Sequence, residues 1–121
     1  MKNNQSIWKS FHNAQRGIFY FFRNERNGQI QLLASLLLLV AGFYFHLNKP
    51  EWIAVVLNIG LIICLEMCNS ALEKICDLIT PDYHPVIRVI KDVSAGAVLW
   101  ASIIGIITGI IVFGPKIYKL L

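Results

Sequence analysis

The chain has 121 residues, of which 56% are hydrophobic and only 15% charged, and it carries a formal net charge of +4. A soluble domain holds roughly 45 to 50% apolar and about 25% charged residues, so water is excluded as its main solvent. The basic residues flank apolar runs and form no single patch, which argues against nucleic acid as a partner.

From Ser6 to Arg23, apolar residues fall at Ile7, Phe11, Ala14, Ile18 and Phe22, while Lys9, Asn13, Arg16 and Arg23 take another face. That helical period predicts an amphipathic helix over about 6–24, suited to lie in a membrane interface or on the protein's own spans. No stretch here reads as a cleaved signal: the first apolar run starts about 30 residues in and lacks a small-residue cleavage site. The segment Arg23-Asn24-Glu25-Arg26-Asn27-Gly28 breaks the pattern, with Gly28 expected to turn the chain into a first span over about 30–47.

Asn48-Lys49-Pro50-Glu51 reads as a tight polar turn, with Pro50 near the start of a second helix over about 51–79. Thr80-Pro81-Asp82 stops that helix, and Tyr83 to Val89 is expected as a short connection. A third span is predicted over about 90–113, with Ala97, Ala101, Gly105 and Gly109 repeating every four residues as a smooth face for close helix packing. Each run approaches the roughly 20 residues that cross a bilayer, the second only if its polar residues are carried in too. The fold class expected is therefore an all-α membrane protein, one domain over 1–121, with a surface helix and three transmembrane helices. Three short spans enclose little core, which favours an oligomer.

With the N-terminus on the cytoplasmic side, Lys2, Lys9, Arg16, Arg23, Arg26, Lys74, Arg88 and Lys91 lie inside, against Lys49, Lys116 and Lys119 outside. The excess inside favours that orientation. Cys64, Cys68 and Cys76 are odd in number and share one helix, so no framework of bridges is expected and they read as packing residues. His12, His46 and His84 are not spaced as a zinc set.

The chemistry is concentrated in the second span. Relative to Glu66, residues Asn69, Ser70, Glu73 and Asp77 sit at about −60°, +40°, −20° and +20° around a 3.6-residue helix, on one face roughly 16 Å long. An ionisable residue at a helix centre costs about 2.5 to 3.5 kcal/mol to insert, so such groups usually mark sites or pathways. The other reading is that this end of the helix simply emerges into water. It suits Asp77 better than Glu66, which has apolar neighbours on both sides. Stacked carboxylates repel unless a cation intervenes. A hard divalent ion takes one or two of them and leaves room for phosphate. A carboxylate off the metal is then available as a general base. Unaided, the pattern allows both a metal-assisted reaction on a lipid and a proton or ion path. No phosphate-binding glycine loop and no nucleophile elbow occur.

The run Glu66-x-x-Asn69-Ser70-Ala71-x-Glu73-x-x-x-Asp77, then Tyr83-His84-Pro85 and Lys91-Asp92-x-x-Ala95-Gly96-Ala97-Val98, resembles the prokaryotic diacylglycerol kinase family of small integral-membrane lipid kinases. The resemblance covers about Arg16 to Phe113. It implies a homotrimer in the bacterial cell membrane that transfers the γ-phosphate of MgATP to a lipid alcohol, with sites shared between neighbouring subunits. By this resemblance Glu66 is the catalytic base, and Glu25 and Glu73 hold Mg²⁺. Glu25, Asn69, Glu73, Asp77, Asp82, Tyr83, His84, Lys91 and Asp92 are expected at the nucleotide, and Arg16, Glu66 and Ala95 at the lipid. Arg23-Asn24-Glu25-Arg26-Asn27 with Glu66 to Ala71 looks more like the branch acting on undecaprenol than the branch using diacylglycerol. Gly28-Gln29-Ile30-Gln31 departs from the aromatic and basic run common in relatives.

Overall fold

The computed structural model describes residues 6–121, which form four helices: α1 (Ile7–Asn24), α2 (Arg26–Tyr44), α3 (Lys49–Ile79) and α4 (Pro85–Leu120). Lys2, counted above with the inner basic residues, lies outside the described residues. α1 starts where Ser6 accepts a hydrogen bond from the Lys9 N–H at 3.1 Å, satisfying one of the amides a helix start leaves free. It ends one residue before α2 begins. Glu25 alone separates the two, in extended conformation (φ −97°, ψ 127°), with its own N–H still donating to the Phe21 carbonyl.

Gly28 therefore does not make the turn expected of it; it is helical and buried in the first turn of α2. A Cβ there would stand 2.5 Å from the Phe21 carbonyl oxygen and 3.0 Å from its ring. The residue is small because α1 and α2 cross at contact distance, and Phe21 is the one buried residue of α1.

α2 closes at Tyr44, three residues short of the expected end. His46 takes a left-handed φ of 53°, and the N–H groups of Phe45, His46 and Leu47 fold back onto the carbonyls of Ala41, Phe43 and Gly42. α3 then starts at once. The Asn48 side chain accepts from the Glu51 N–H while the Glu51 carboxylate accepts from the Asn48 N–H, and Pro50 sits in the first turn, where its missing N–H costs nothing. Lys49 and Pro50, expected in the turn, are thus helical. α3 stops at Ile79 with Thr80 as its cap, as the sequence predicts.

α4 begins at Pro85, not near Val89 or Ile90. Pro85 opens the helix instead of interrupting the chain, because His84 Nδ1 accepts the Val86 N–H at 3.1 Å and caps it. The helix also runs beyond Phe113, past Pro115, to Leu120.

α3 and α4 form the most extensive pair, and α2 packs on α3. The apolar core lies at the end near the α2–α3 turn: Leu47, Val55, Val112 and Phe113 are buried there, with Ala41, Phe45, Trp52 and Ile59 against them. A Lys116 to Glu51 ion pair at 3.2 Å ties the end of α4 to the start of α3. Farther along, Ala101 is buried and a Cβ on Gly105 would meet Ile62 at 3.1 Å, so that half of the small-residue stripe serves close packing. Ala97 is exposed and Gly109 has open space beside it, so the other half does not.

α2, α3 and α4 are long and apolar enough to cross a membrane, yet only 17% of the apolar stretch of each is buried inside the chain. The accessible surface is 9468 Å². A soluble monomer of this mass exposes about 6,600 Å². The excess is helix surface that requires lipid or other protein as its neighbour.

Candidate active site

α3 is longer than a bilayer core requires. Twenty residues from Trp52 reach Ala71, about 30 Å of helix, so Glu66 falls in the last turns of the span and Glu73 and Asp77 fall past it. The polar end of α3 lies opposite the apolar core, where the α1–α2 junction and the α3–α4 turn converge on it.

Glu66 is 5% exposed, and its Oε1 accepts a hydrogen bond from Asn27 Nδ2 at 3.1 Å. Asn27 stands in the first turn of α2, aimed across by the abrupt bend at Glu25. Asn69, one turn farther along α3, is equally buried, and its Oδ1 has no hydrogen-bond partner. A buried acceptor left unpaired costs roughly 1 to 3 kcal/mol, so this oxygen has unused capacity for a donor.

Two ion pairs flank this centre. Glu25 accepts from the Ser70 hydroxyl at 2.8 Å and from the Lys74 ammonium, which also lies 5.7 Å from the centre of the Tyr20 ring. The Lys74 hydrogen bond, helped by that of Ser70, holds the Glu25 carboxyl below its ordinary value against a smaller opposing effect of burial. On the other side Lys91 of α4 binds Asp77 at 2.6 Å. Glu73 lies between, exposed, and close enough to both Lys74 and Lys91 to attract their ammonium groups.

The α3–α4 turn gathers a further group of expected residues. Asp82, Tyr83, His84, Lys91 and Asp92 line one open, mainly polar hollow of about 400 Å³, together with Arg88, which pairs with Asp92 at 3.4 Å. A second hollow of about 260 Å³ lies between α1 and α3, with Glu25, Ser70 and Lys74 at its polar side and Gly17, Ile18 and Ala71 at its apolar side. Arg16 and Ala95 are exposed on α1 and α4, and neither is hydrogen-bonded to Glu66 among the described residues.

Among the described residues no three His, Cys, Asp or Glu side chains gather around one point. Magnesium does not need three, because it keeps water and phosphate oxygens and takes one or two carboxylates. Glu25 and Glu73 each carry hard oxygens of the kind it takes, and an ammonium is already drawn to Glu25.

Asn27, Lys74 and Arg88 were not singled out by sequence as site residues. Asn27 and Lys74 act across 39 and 49 positions, and one-dimensional periodicity carries no signal for such pairs. The available hint was the run of polar residues from Arg23 to Asn27 standing directly before an apolar helix.

Residues 12–113 match the family described as prokaryotic diacylglycerol kinase. The undecaprenol kinase of Bacillus subtilis is 41% identical over 92% of this chain and 90% of its own length. The diacylglycerol kinase of Synechocystis is 33% identical over 93% of this chain and 65% of that longer protein. The diacylglycerol kinase of Escherichia coli K12 is 28% identical over 77% of this chain and 76% of its own.

Proposed function

Because this chain belongs to the prokaryotic diacylglycerol kinase family, we propose that it is a lipid kinase that transfers the γ-phosphate of ATP to undecaprenol in a bacterial cell membrane. The observation that carries the reading is the buried carboxylate of Glu66, held from α2 near the end of a membrane span, in a chain 41% identical to an undecaprenol kinase over nearly its whole length.

In this mechanism the lipid hydroxyl oxygen attacks the γ-phosphorus, the bond from that phosphorus to the β–γ bridging oxygen breaks, and ADP leaves. The hydroxyl proton passes to Glu66, whose depth in the span suits an alcohol at headgroup level. Glu25 and Glu73 would hold Mg²⁺, which when bound would supply neutralisation of phosphate charge. Lys91, released from Asp77, supplies a further positive charge to the phosphates. Asn69 offers its free amide to the nucleotide, and Asp82, Tyr83, His84 and Asp92 wall the hollow that receives it. Arg16 and Ala95 border the lipid.

The assembly is a homotrimer, in which each exposed site end is completed by a neighbour. The N-terminus is cytoplasmic, and α1 lies along the interface with Ile7, Phe11, Ile18 and Phe22 toward lipid.

The test is phosphorylation by the purified protein in bilayers containing either undecaprenol or diacylglycerol, with ATP and Mg²⁺. Undecaprenol is expected to be the faster substrate. Preference for diacylglycerol would move the assignment to the other branch of the family, and no phosphorylated lipid from either would overturn it.

A further inference from the structure

Resting on the reading of Glu66 as the base, we infer that Asn27 is the residue that positions it. Nothing else among the described residues donates to Glu66, and the pairing spans two helices and 39 positions. A carboxylate at 5% exposure with a single hydrogen-bond donor from the described residues has few ways to be held in one rotamer. The amide of Asn27 supplies one.

The backbone behind Asn27 is unusually well determined. Glu25 bends the chain within a single residue, and Gly28, next after Asn27, lies so close to Phe21 that no side chain fits between them. Asn27 therefore enters from a fixed direction. Its Nδ2 donates to Oε1, which leaves Oε2 as the oxygen with no donor from the described residues.

An amide suits this task because it does not titrate. When the lipid O–H proton moves to Oε2, Oε1 remains an acceptor and the Asn27 hydrogen bond persists, so the base gains its proton without rearrangement. Donors fixed before the reaction contribute for that reason. A base displaced by about 1 Å loses on the order of a hundredfold in rate.

Asn27 acts through Glu66, to which its one side-chain hydrogen bond among the described residues is made. Its loss should lower kcat and leave KM for ATP in place. Three substitutions separate donor chemistry from shape: Asn27→Leu keeps the volume without a donor, Asn27→Asp keeps the outline but replaces the donor by an acceptor, and Asn27→Gln keeps the donor at longer reach. Turnover of a lipid alcohol in bilayers is measured beside wild type and Glu66→Gln, with thermal unfolding as a check on folding.

The expected order in kcat is wild type, then Gln, then Leu and Asp. The last two should fall by about ten- to a hundredfold, with KM for ATP within twofold. Asn27→Asp at the wild-type rate, or Asn27→Gln no faster than Asn27→Leu, would overturn the positioning role even if Glu66→Gln is inactive. Glu66→Gln at the wild-type rate would overturn the base assignment itself, and the positioning role with it. Should Asn27→Leu fail to fold, the ranking of Asn27→Gln against Asn27→Asp decides alone.

Discussion

Glu66 and Glu73 share a helix face in projection, yet their surroundings differ: one is buried against an amide, the other exposed between two ammonium groups. The roles proposed for them, proton acceptor for Glu66 and metal ligand for Glu73, follow that division without any change of residue type. Glu73→Gln is accordingly expected to weaken Mg²⁺ binding, raising the Mg²⁺ concentration for half-maximal rate by at least about tenfold, as for loss of one ligand or its support. Titration of activity against Mg²⁺ measures it, and an unchanged midpoint would remove Glu73 from the metal site. Gly28 carries a structural load at the same scale. Because a Cβ would stand 2.5 Å from a backbone oxygen, Gly28→Ala must push α1 and α2 apart. A cost of about 1 to 3 kcal/mol is expected, seen as a lower Tm in detergent, and an unchanged Tm would show that the junction yields freely.

At the scale of elements, the α1–α2 junction is tied to α3 by Glu25, Ser70 and Lys74. The hydrogen bonds of Lys74 and Ser70 depress the Glu25 pKa from its ordinary 4.5, so its contribution to stability is complete above that pH and is lost as the pH falls through the lower, folded value. Glu25→Gln should thus lower Tm at neutral pH, and the gap from wild type should close as the pH drops below 4.5. A gap constant with pH would mean that the ionised carboxylate contributes nothing. Much of this level was legible in the sequence. The 3.6-residue period of α1 and the Thr80-Pro81 stop of α3 placed those boundaries within a residue or two, and the 100° rule put Glu66, Asn69 and Ser70 together. The early start of α4, inside the expected connection Tyr83 to Val89, is not legible in the sequence because Pro85 fits a loop as well as a first turn, and the His84 cap decides. Gly28 was misread for a similar reason: its lack of a side chain serves a neighbour, and no neighbour appears in a linear pattern. The pairings of Glu66 with Asn27 and of Glu25 with Lys74 required the fold.

For the whole molecule, the governing quantity is unburied apolar surface. The chain exposes 9468 Å², and its three long helices bury only 17% of their apolar stretches, so this surface requires lipid or protein neighbours. Lipid supplies some of them, but the exposed ends carrying Glu73, Asp77 and Lys91 call for polar company. The proposed trimer is expected to give a cross-linking ladder that ends at three in native membranes. A ladder ending at two would refute it. Gly109 and the open side of the α2–α3–α4 groove, which Gln31, Asn58 and Thr108 also line, are free to receive a neighbouring chain or a lipid tail.

The single extended residue between α1 and α2 gives the molecule a mechanical property. α1 is a stiff rod about 27 Å long fastened at one elbow, so tilting it by ten degrees lifts its far tip by about 5 Å and moves the elbow hardly at all. Glu25 is that elbow. With α1 in the bilayer surface, as proposed, undulations that rock the arm would displace Ser6 and Ile7 most and the carboxylate on the pivot least.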